Sequence, residues 1–268
     1  MTWTAMRLPG GLVEDGERGR NWAFRPVSGA LELALAEVGE AAASTPHAVT
    51  QALSLALDQL SGQPATPARV ASLCVADRQF LMRELDRHLG SEGGWFEADC
   101  RHCEDRFDFE VHYGELPVRE AGPGFPEVEL DLDGTRVRFR LPTGGDQEEL
   151  LSQPEAGNRA WLLRRLLTDG ELSEDALPGV AAAAEAALEA MAPAIVLLLQ
   201  VDCPACGNRN EIELDPYRAI NRQSSELLQE VHSIAQHYHW RETDILDLPR
   251  ARRQRYLQMI DRSRGMTH

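Results

Sequence analysis

Cys100-Arg101-His102-Cys103 and Cys203-Pro204-Ala205-Cys206-Gly207 are the two stretches of sequence that decide the fold of this chain. Each stretch, which we call a knuckle, supplies a pair of thiolates, and two such pairs complete the Cys₄ set of a tetrahedral zinc site. A strand-like alternation of apolar and polar residues follows each knuckle, at 106–111 and 210–214. This arrangement predicts a zinc ribbon. Because 100 positions separate Cys103 from Cys203, we expect a large insertion to split the ribbon.

Other interpretations of the cysteines stay open at this point. A redox pair would open a helix, whereas strands are predicted here. Disulfides require an oxidising compartment, and free thiols are the third alternative. His102 could replace one cysteine as a ligand. Four thiolates leave no open coordination position, so the predicted zinc is structural. We expect the fifth cysteine, Cys74, to be a small buried hydrophobe on a helix.

Composition limits the classes of function. The net charge of −16 and pI of about 4.9 make nucleic acid an unlikely partner, because phosphates require a basic surface. No apolar stretch is long enough for a membrane span. The first residues lack a signal-peptide pattern, so we expect a cytoplasmic protein. All 27 basic residues are arginine, which fits either a GC-rich genome or a surface rich in protein contacts.

Periodicity predicts an α+β fold: a mostly helical chain around a split Cys₄ zinc ribbon, with β-hairpins and a helical C-terminal segment. We predict an N-terminal hairpin and helical region over 1–92. The split ribbon covers 93–214, with a helical insertion at about 143–192, and the C-terminal helical segment covers 215–268. Further element predictions are a hairpin turning at Asp133-Gly134, a buried strand over 194–199, and a helix N-cap at Asp77.

The N-terminal helices and strands are predicted in more detail. Residues 11–13 and 21–24 are expected to form a hairpin. A helix that begins at Thr45-Pro46 is expected to carry Leu57 and Leu60 on its apolar face. Near the other end of the chain, a long helix is expected over residues 216–240, and Pro249 is placed to begin the last helix.

Catalytic motifs are not found in the sequence, so we predict that the chain is not an enzyme and has no small-molecule substrate. His232, His237 and His239 fall around a helix rather than on one face, which favours a packed helix end over a metal site. The arginine-rich stretch 250–255 fits a nucleic-acid patch or a protein contact. The acidic charge of the whole chain favours the protein contact.

Five stretches carry a resemblance to a known family. They are Val75-Ala76-Asp77-Arg78-Gln79-Phe80-Leu81, the first knuckle, Leu141-Pro142-Thr143-Gly144, the second knuckle, and the tail at 231–240, 245–253 and Tyr256-Leu257. The chain resembles the zinc-knuckle baseplate or tail-assembly proteins encoded with contractile phage tails and phage-tail-like contractile injection systems. The resemblance extends loosely over 28–263. It implies a structural or assembly role without enzymatic activity, with other tail and baseplate proteins as partners.

The expected function is therefore a non-enzymatic component of a contractile tail-like machine, incorporated into the particle or acting during its assembly. The alternative is a cytoplasmic zinc-ribbon adaptor in a transcription or nucleoprotein complex. The segment 217–268 carries nine arginines and six acidic residues, unlike the acidic remainder of the chain. We predict that this tail binds a partner near Arg252, Arg253 and Tyr256. In the alternative, the tail folds back on its own ribbon domain.

Overall fold

The structure, a computed structural model, describes residues 7–91, 93–132, 135–153, 158–173, 177–263 and 265. Within these residues, ten α-helices are combined with several sheets of two or three strands and a cluster of four cysteines. The predicted α+β class is confirmed. The predicted turn at Asp133-Gly134 lies outside the described residues. None of the described helices has both the length and the apolar character that a membrane span requires.

The N-terminal strands differ from the predicted hairpin. β1 (Leu12–Glu14) pairs with β2 (Glu17–Gly19), because Asp15 and Gly16 adopt positive φ and close a tight two-residue turn. β3 (Trp22–Phe24), predicted as the second hairpin strand, instead pairs with β4 (Leu57–Leu60), and β4 pairs with β5 (Gln63–Pro64). Leu57 and Leu60 were predicted on a helix, but the helix ends at Ala56 and both side chains enter the core from β4.

Four helices build the N-terminal core: α1 (Gly29–Ala41), α2 (Thr45–Ala56), α3 (Pro67–Ala71) and α4 (Val75–His88). The prediction that Asp77 caps α4 is wrong. Its buried carboxylate instead accepts the backbone N–H groups of Gly10 and Gly11, at 2.7 Å each. Cys74 occupies the N-cap position of α4 and is buried, as expected of a small hydrophobe. Asp77 thereby ties the first β-hairpin to α4.

The insertion between the knuckles builds a hydrophobic core, to which Cys74 from the N-terminal region also contributes. It contains β9 (Glu127–Leu132), β10 (Thr135–Arg140), β11 (Leu167–Asp169), α5 (Gly144–Leu150), α6 (Asn158–Leu166) and α7 (Leu177–Met191). The three strands form an antiparallel sheet in the order β11-β10-β9. Val137 and Phe139 of β10 pack against apolar residues of α6 and α7. The insertion is therefore a folded unit rather than a long loop.

The knuckles lie in two antiparallel hairpins: β6 (Gly93–Asp99) with β7 (Arg106–His112), and β13 (Leu198–Asp202) with β14 (Arg209–Glu213). A single buried strand over 194–199 is not present. β12 (Ala194–Ile195) pairs with β8 (Val118–Arg119), and β13 begins only at Leu198, whose side chain is exposed. The apolar run serves two different sheets, so it does not present one continuous buried face.

The C-terminal segment consists of α8 (Ser224–Tyr238), α9 (Glu242–Leu246) and α10 (Arg250–Ser263). The long helix predicted from 216 begins later, because a 3₁₀ turn at Arg218–Ile220 precedes α8. Residues of α8, α9 and α10 enclose a small core that includes Leu33 of α1. The helices α8 and α9 of the tail therefore pack against α1 of the N-terminal region.

Candidate metal centre

The two knuckles have the same backbone construction. In the first, the Cys100 N–H donates to the Asp105 carbonyl at 2.9 Å and the Glu104 N–H donates to the Cys100 carbonyl at 3.0 Å. In the second, Cys203 donates to the Asn208 carbonyl at 2.9 Å and Gly207 donates to Cys203 at 2.8 Å. Glu104 and Gly207 both adopt positive φ, which closes each turn and brings its two thiols to one side.

These turns bring all four predicted ligands together. The sulfur atoms of Cys100, Cys103, Cys203 and Cys206 all lie within 4.8 Å of one another. Across the knuckles, Cys100 Sγ lies 3.7 Å from Cys206 Sγ, and Cys103 Sγ lies 3.8 Å from Cys203 Sγ. A tetrahedron with metal–sulfur bonds of about 2.3 Å requires sulfur separations of about 3.8 Å. The four cysteines therefore lie close enough to hold one metal ion.

The site lies at the edge of a hydrophobic cluster. Cys100 and Cys203 are buried beside Phe107, Phe109 and Leu214, whereas Cys103 and Cys206 are exposed. The first cysteine of each knuckle thus belongs to the ribbon core, and the second faces solvent. A bound ion would sit between the core and the surface.

Polar groups around Cys100 favour the charged form of its thiol. The His102 N–H donates to Cys100 Sγ at 3.4 Å, and the Asn210 side-chain amide donates to the same sulfur at 3.5 Å. Burial raises the pKa of the Cys100 thiol, but the His102 and Cys103 N–H groups and the Asn210 amide outweigh it and lower that pKa to about 6. A thiolate is the form that binds metal.

Asn210 is a site residue that the sequence analysis missed. Its side chain is 3% exposed, and its Oδ1 accepts the Arg101 N–H of the other knuckle at 2.9 Å. Its amide also donates to the Asn208 carbonyl at 3.0 Å. Asn208 in turn donates to Cys206 Sγ at 3.4 Å. Asn210 therefore fixes the position of one knuckle against the other.

A longer sequence repeat than Cys-x-x-Cys marks this construction. Both knuckles conform to Asp-Cys-x-x-Cys-x-x-Arg, from Asp99 to Arg106 and from Asp202 to Arg209. In each case the arginine Nε donates to the aspartate, at 3.3 Å in the first knuckle and 3.1 Å in the second. The shared aspartate and arginine are the sequence signal that indicates two equivalent knuckles.

The positions of the side chains decide between the alternative ligands and cysteine pairings that the sequence left open. The His102 ring is not among the ligand atoms that converge, and His102 contributes its backbone N–H instead. The cross-knuckle sulfur separations exceed a disulfide bond of about 2.05 Å, and the cysteines are free. Within the described part of the chain, the histidines of α8 join no cluster of three or more potential ligands.

The predicted partner residues of the tail do not lie together on one surface. Arg253 was predicted near a partner contact, but it is fully buried within the chain itself. Its Nη2 donates to Glu32 of α1 at 2.8 Å and its Nε donates to Glu230 of α8 at 3.3 Å, so the prediction for Arg253 is wrong. Arg252 is exposed and Tyr256 half-buried, and their role stays a prediction.

The ribbon is anchored to the helices through polar contacts. The Arg218 guanidinium lies over the Phe96 ring, 4.6 Å from its centroid, and donates to the Tyr113 hydroxyl at 3.2 Å. Arg222 donates to Asp86 of α4 at 3.1 Å. The short segment between β14 and α8 thus contacts both the ribbon and the N-terminal helices.

No protein-family model, curated protein or solved structure matches this chain. The resemblance to contractile-tail proteins therefore stays a prediction from the sequence.

Proposed function

We propose that the four cysteines bind one Zn²⁺ ion with a structural role. The donor set supports zinc, because four thiolates in a tetrahedral arrangement are characteristic of structural zinc sites. Four protein ligands leave no position for a reacting water, so the ion would hold the two knuckles together and would not perform chemistry. Cys100, Cys103, Cys203 and Cys206 would be its ligands.

Elemental analysis tests the identity and number of the ions. Protein purified from cells without added metal should contain about one zinc per chain, and its four ligand thiols should resist a thiol reagent until a chelator is added. Folded protein that contains no zinc and reacts at all four thiols would contradict the site. If the protein contains iron in place of zinc, the result would support the four ligands and contradict the proposed identity of the ion.

We further propose that the chain is a non-enzymatic structural or assembly component of a contractile phage-tail-like machine, associated with the baseplate. Its support is the sequence resemblance, above all the tail at 231–240 and 245–253. The construction of the centre adds one supporting observation. A metal that joins strands on either side of a folded insertion suits a part whose role is a fixed shape and a set of contacts.

Mass spectrometry distinguishes the proposed role from the adaptor alternative. An affinity-tagged chain, expressed in its own host during particle production, should copurify with sheath, tube or baseplate proteins. Its presence in purified particles would identify a built-in part, and its presence only in assembly intermediates would identify an assembly factor. Copurification with RNA polymerase or a nucleoprotein complex, and not with tail proteins, would overturn the proposal in favour of the adaptor.

A further inference from the structure

One face of α10 carries a basic stripe that is open to solvent. Arg252, Arg255, Met259 and Arg262 are spaced by three, four and three residues, so they lie along one side of the helix. All four are exposed, and Met259 is 55% exposed. None of the three arginines forms an ion pair with another described residue. The opposite side of α10, with Arg253 and Ile260, is buried against the chain's own helices.

The outer face of the β6–β7 hairpin is acidic and is therefore complementary in charge to the basic stripe of α10. Strict alternation places Phe107, Phe109 and Val111 in the ribbon core and turns the intervening side chains to solvent. Trp95 on this outer face is 71% exposed and lies directly across from Glu110. Around Trp95 this face carries four carboxylates: Glu97, Asp99, Asp108 and Glu110. Arg106 pairs with Glu97 and Asp99 on the same face, and His112 lies 3.5 Å from Glu110, so the carboxylates outnumber the basic side chains by two.

We propose that these two faces bind each other between copies of this chain, so that the basic stripe of one copy docks on the acidic face around Trp95 of the next. The charges are complementary, which steers association and fixes its register. A tryptophan face bordered by carboxylates suits an arginine guanidinium, which can stack on the ring and pair with the acids. Met259 supplies an exposed apolar anchor on the stripe.

The contact is heterologous, because the two faces are built from different residues. Each copy that uses its stripe still presents a free acidic face, so such contacts close into a ring or continue as a filament. The acidic charge of the whole chain opposes nucleic acid as the occupant of the stripe. The inference does not depend on the proposed role in a contractile machine.

Sedimentation equilibrium of the full-length, metal-loaded protein tests the association. The Debye length is about 10 Å at 0.1 M salt, so the overall repulsion between two copies of net charge −16 is largely screened while charges in contact still attract. At 1 M salt it falls to about 3 Å, so association is expected at 0.1 M salt and monomer at 1 M salt. A protein that is monomeric over the whole concentration series at 0.1 M salt would overturn the proposal. Association that is insensitive to salt would also overturn it, since it would point to an apolar interface elsewhere.

Mixing two charge-reversed variants tests which faces meet. The stripe variant is Arg252→Glu/Arg255→Glu, and the acidic-face variant is Glu97→Arg/Glu110→Arg. Each alone should associate about tenfold more weakly or worse, because like charges then face each other. An equimolar mixture should recover association, because each variant supplies the face that the other lacks. If the mixture associates as weakly as each variant does alone, the proposed heterologous contact is wrong.

The control is Arg136→Glu/Arg138→Glu on β10, which makes the same change in net charge as the stripe variant outside both faces and should associate like the unchanged chain. Thermal melts verify that each variant is folded. If a reversal variant melts early, Trp95→Ala and Met259→Gln replace it, because both side chains are mostly exposed. Either should weaken association severalfold, and unchanged association in both would also contradict the proposal.

Discussion

The Asn210 side chain joins the knuckles at the level of single atoms. Its carbonyl oxygen holds the backbone of Arg101, and its amide group reaches Cys100 Sγ and the Asn208 carbonyl. A buried amide with three partners is costly to remove, because the groups it satisfied lose their hydrogen bonds. Asn208, which reaches Cys206 Sγ from an exposed position, provides a natural comparison.

Replacement of Asn210 should weaken metal binding more than replacement of Asn208. Loss of a group that orients a metal ligand typically costs 10- to 100-fold in affinity, so we expect a loss of about that size for Asn210→Ala. Asn208→Ala should lose only severalfold. Transfer of zinc to a chromogenic chelator measures both affinities. Equal zinc affinities for the two variants would contradict the role of Asn210 in positioning the knuckles.

Cysteine replacements should separate the metal ligands from the buried thiol outside the site. Cys203→Ser removes one of four ligands and should lower the melting temperature strongly, because metal binding contributes directly to folding. Cys74→Ser should have little effect: serine is favoured at a helix N-cap, the position that Cys74 holds in α4. Thermal melts of both variants test this, and equal losses would contradict the assigned roles.

At the scale of elements, Asp146 holds α5 in place. Its carboxylate accepts from Arg140 of β10 at 2.5 and 2.8 Å and from Arg165 of α6 at 2.5 Å, and it completes a capping box with Thr143. Burial alone would raise the pKa of Asp146, but Arg140, the Thr143 amide and Arg165 together hold it well below its usual range.

This carboxyl predicts a pH dependence of stability. A carboxyl whose pKa is lower in the folded state contributes stability above its unfolded pKa, about 3.9, and that stability is lost as pH falls toward the folded value. Asp146→Asn should therefore cost about 3 kcal/mol at neutral pH, and the difference should narrow below about pH 4. Urea unfolding across pH measures it, with the exposed Asp58→Asn as control. A difference that is constant with pH would contradict the ion-pair account.

Two helical glycines should respond in opposite directions to alanine. A Cβ on Gly39 of α1 would lie 1.8 Å from the Ile220 carbonyl oxygen, so Gly39→Ala must separate α1 from the 3₁₀ turn and should destabilise the chain by about 1–3 kcal/mol. Gly179 of α7 has no such neighbour among the residues that the structure describes, and Gly179→Ala should stabilise by up to about 1 kcal/mol. Chemical denaturation that shows the same sign for both would overturn this packing argument.

The sequence predicts elements well where local chemistry determines them. The convergence of the four cysteines, the strands after each knuckle and the start of α10 after Pro249 follow from motif, alternation and proline. Asp77 and Arg253 were misassigned because their roles depend on distant partners: Gly10 and Gly11 for one, Glu32 for the other. No local pattern encodes such pairs. The prediction of a single buried strand over 194–199 is wrong because two different sheets share these residues.

At the scale of the whole molecule, the ribbon and the helical regions have separate hydrophobic clusters. The ribbon cluster contains Cys100 and Cys203 of the candidate metal centre, whereas the clusters of the N-terminal helices, the insertion and the tail contain none of its four cysteines. The ribbon should therefore depend on the ion far more than the helices do.

Removal of the metal should unfold the ribbon first. After treatment with a chelator, amide hydrogen exchange should rise in 93–112 and 198–213, and the exchange of α1, α2 and α4 should change little. The far-ultraviolet helix signal should be retained, and added zinc should restore protection. Simultaneous loss of protection in the ribbon and the helices would show that the chain unfolds as one unit.

The separation of the knuckles along the chain also affects the order of events during synthesis. The ribosome completes the first knuckle at Cys103 and reaches Cys203 of the second 100 positions later, which takes about 5–20 s at typical rates. During that interval the nascent chain offers the site only the two thiols of the first knuckle, while the residues of the insertion's hydrophobic core are completed at Met191. The complete ligand set exists only after Cys206 has emerged, so metal capture would report that translation has passed the whole insertion.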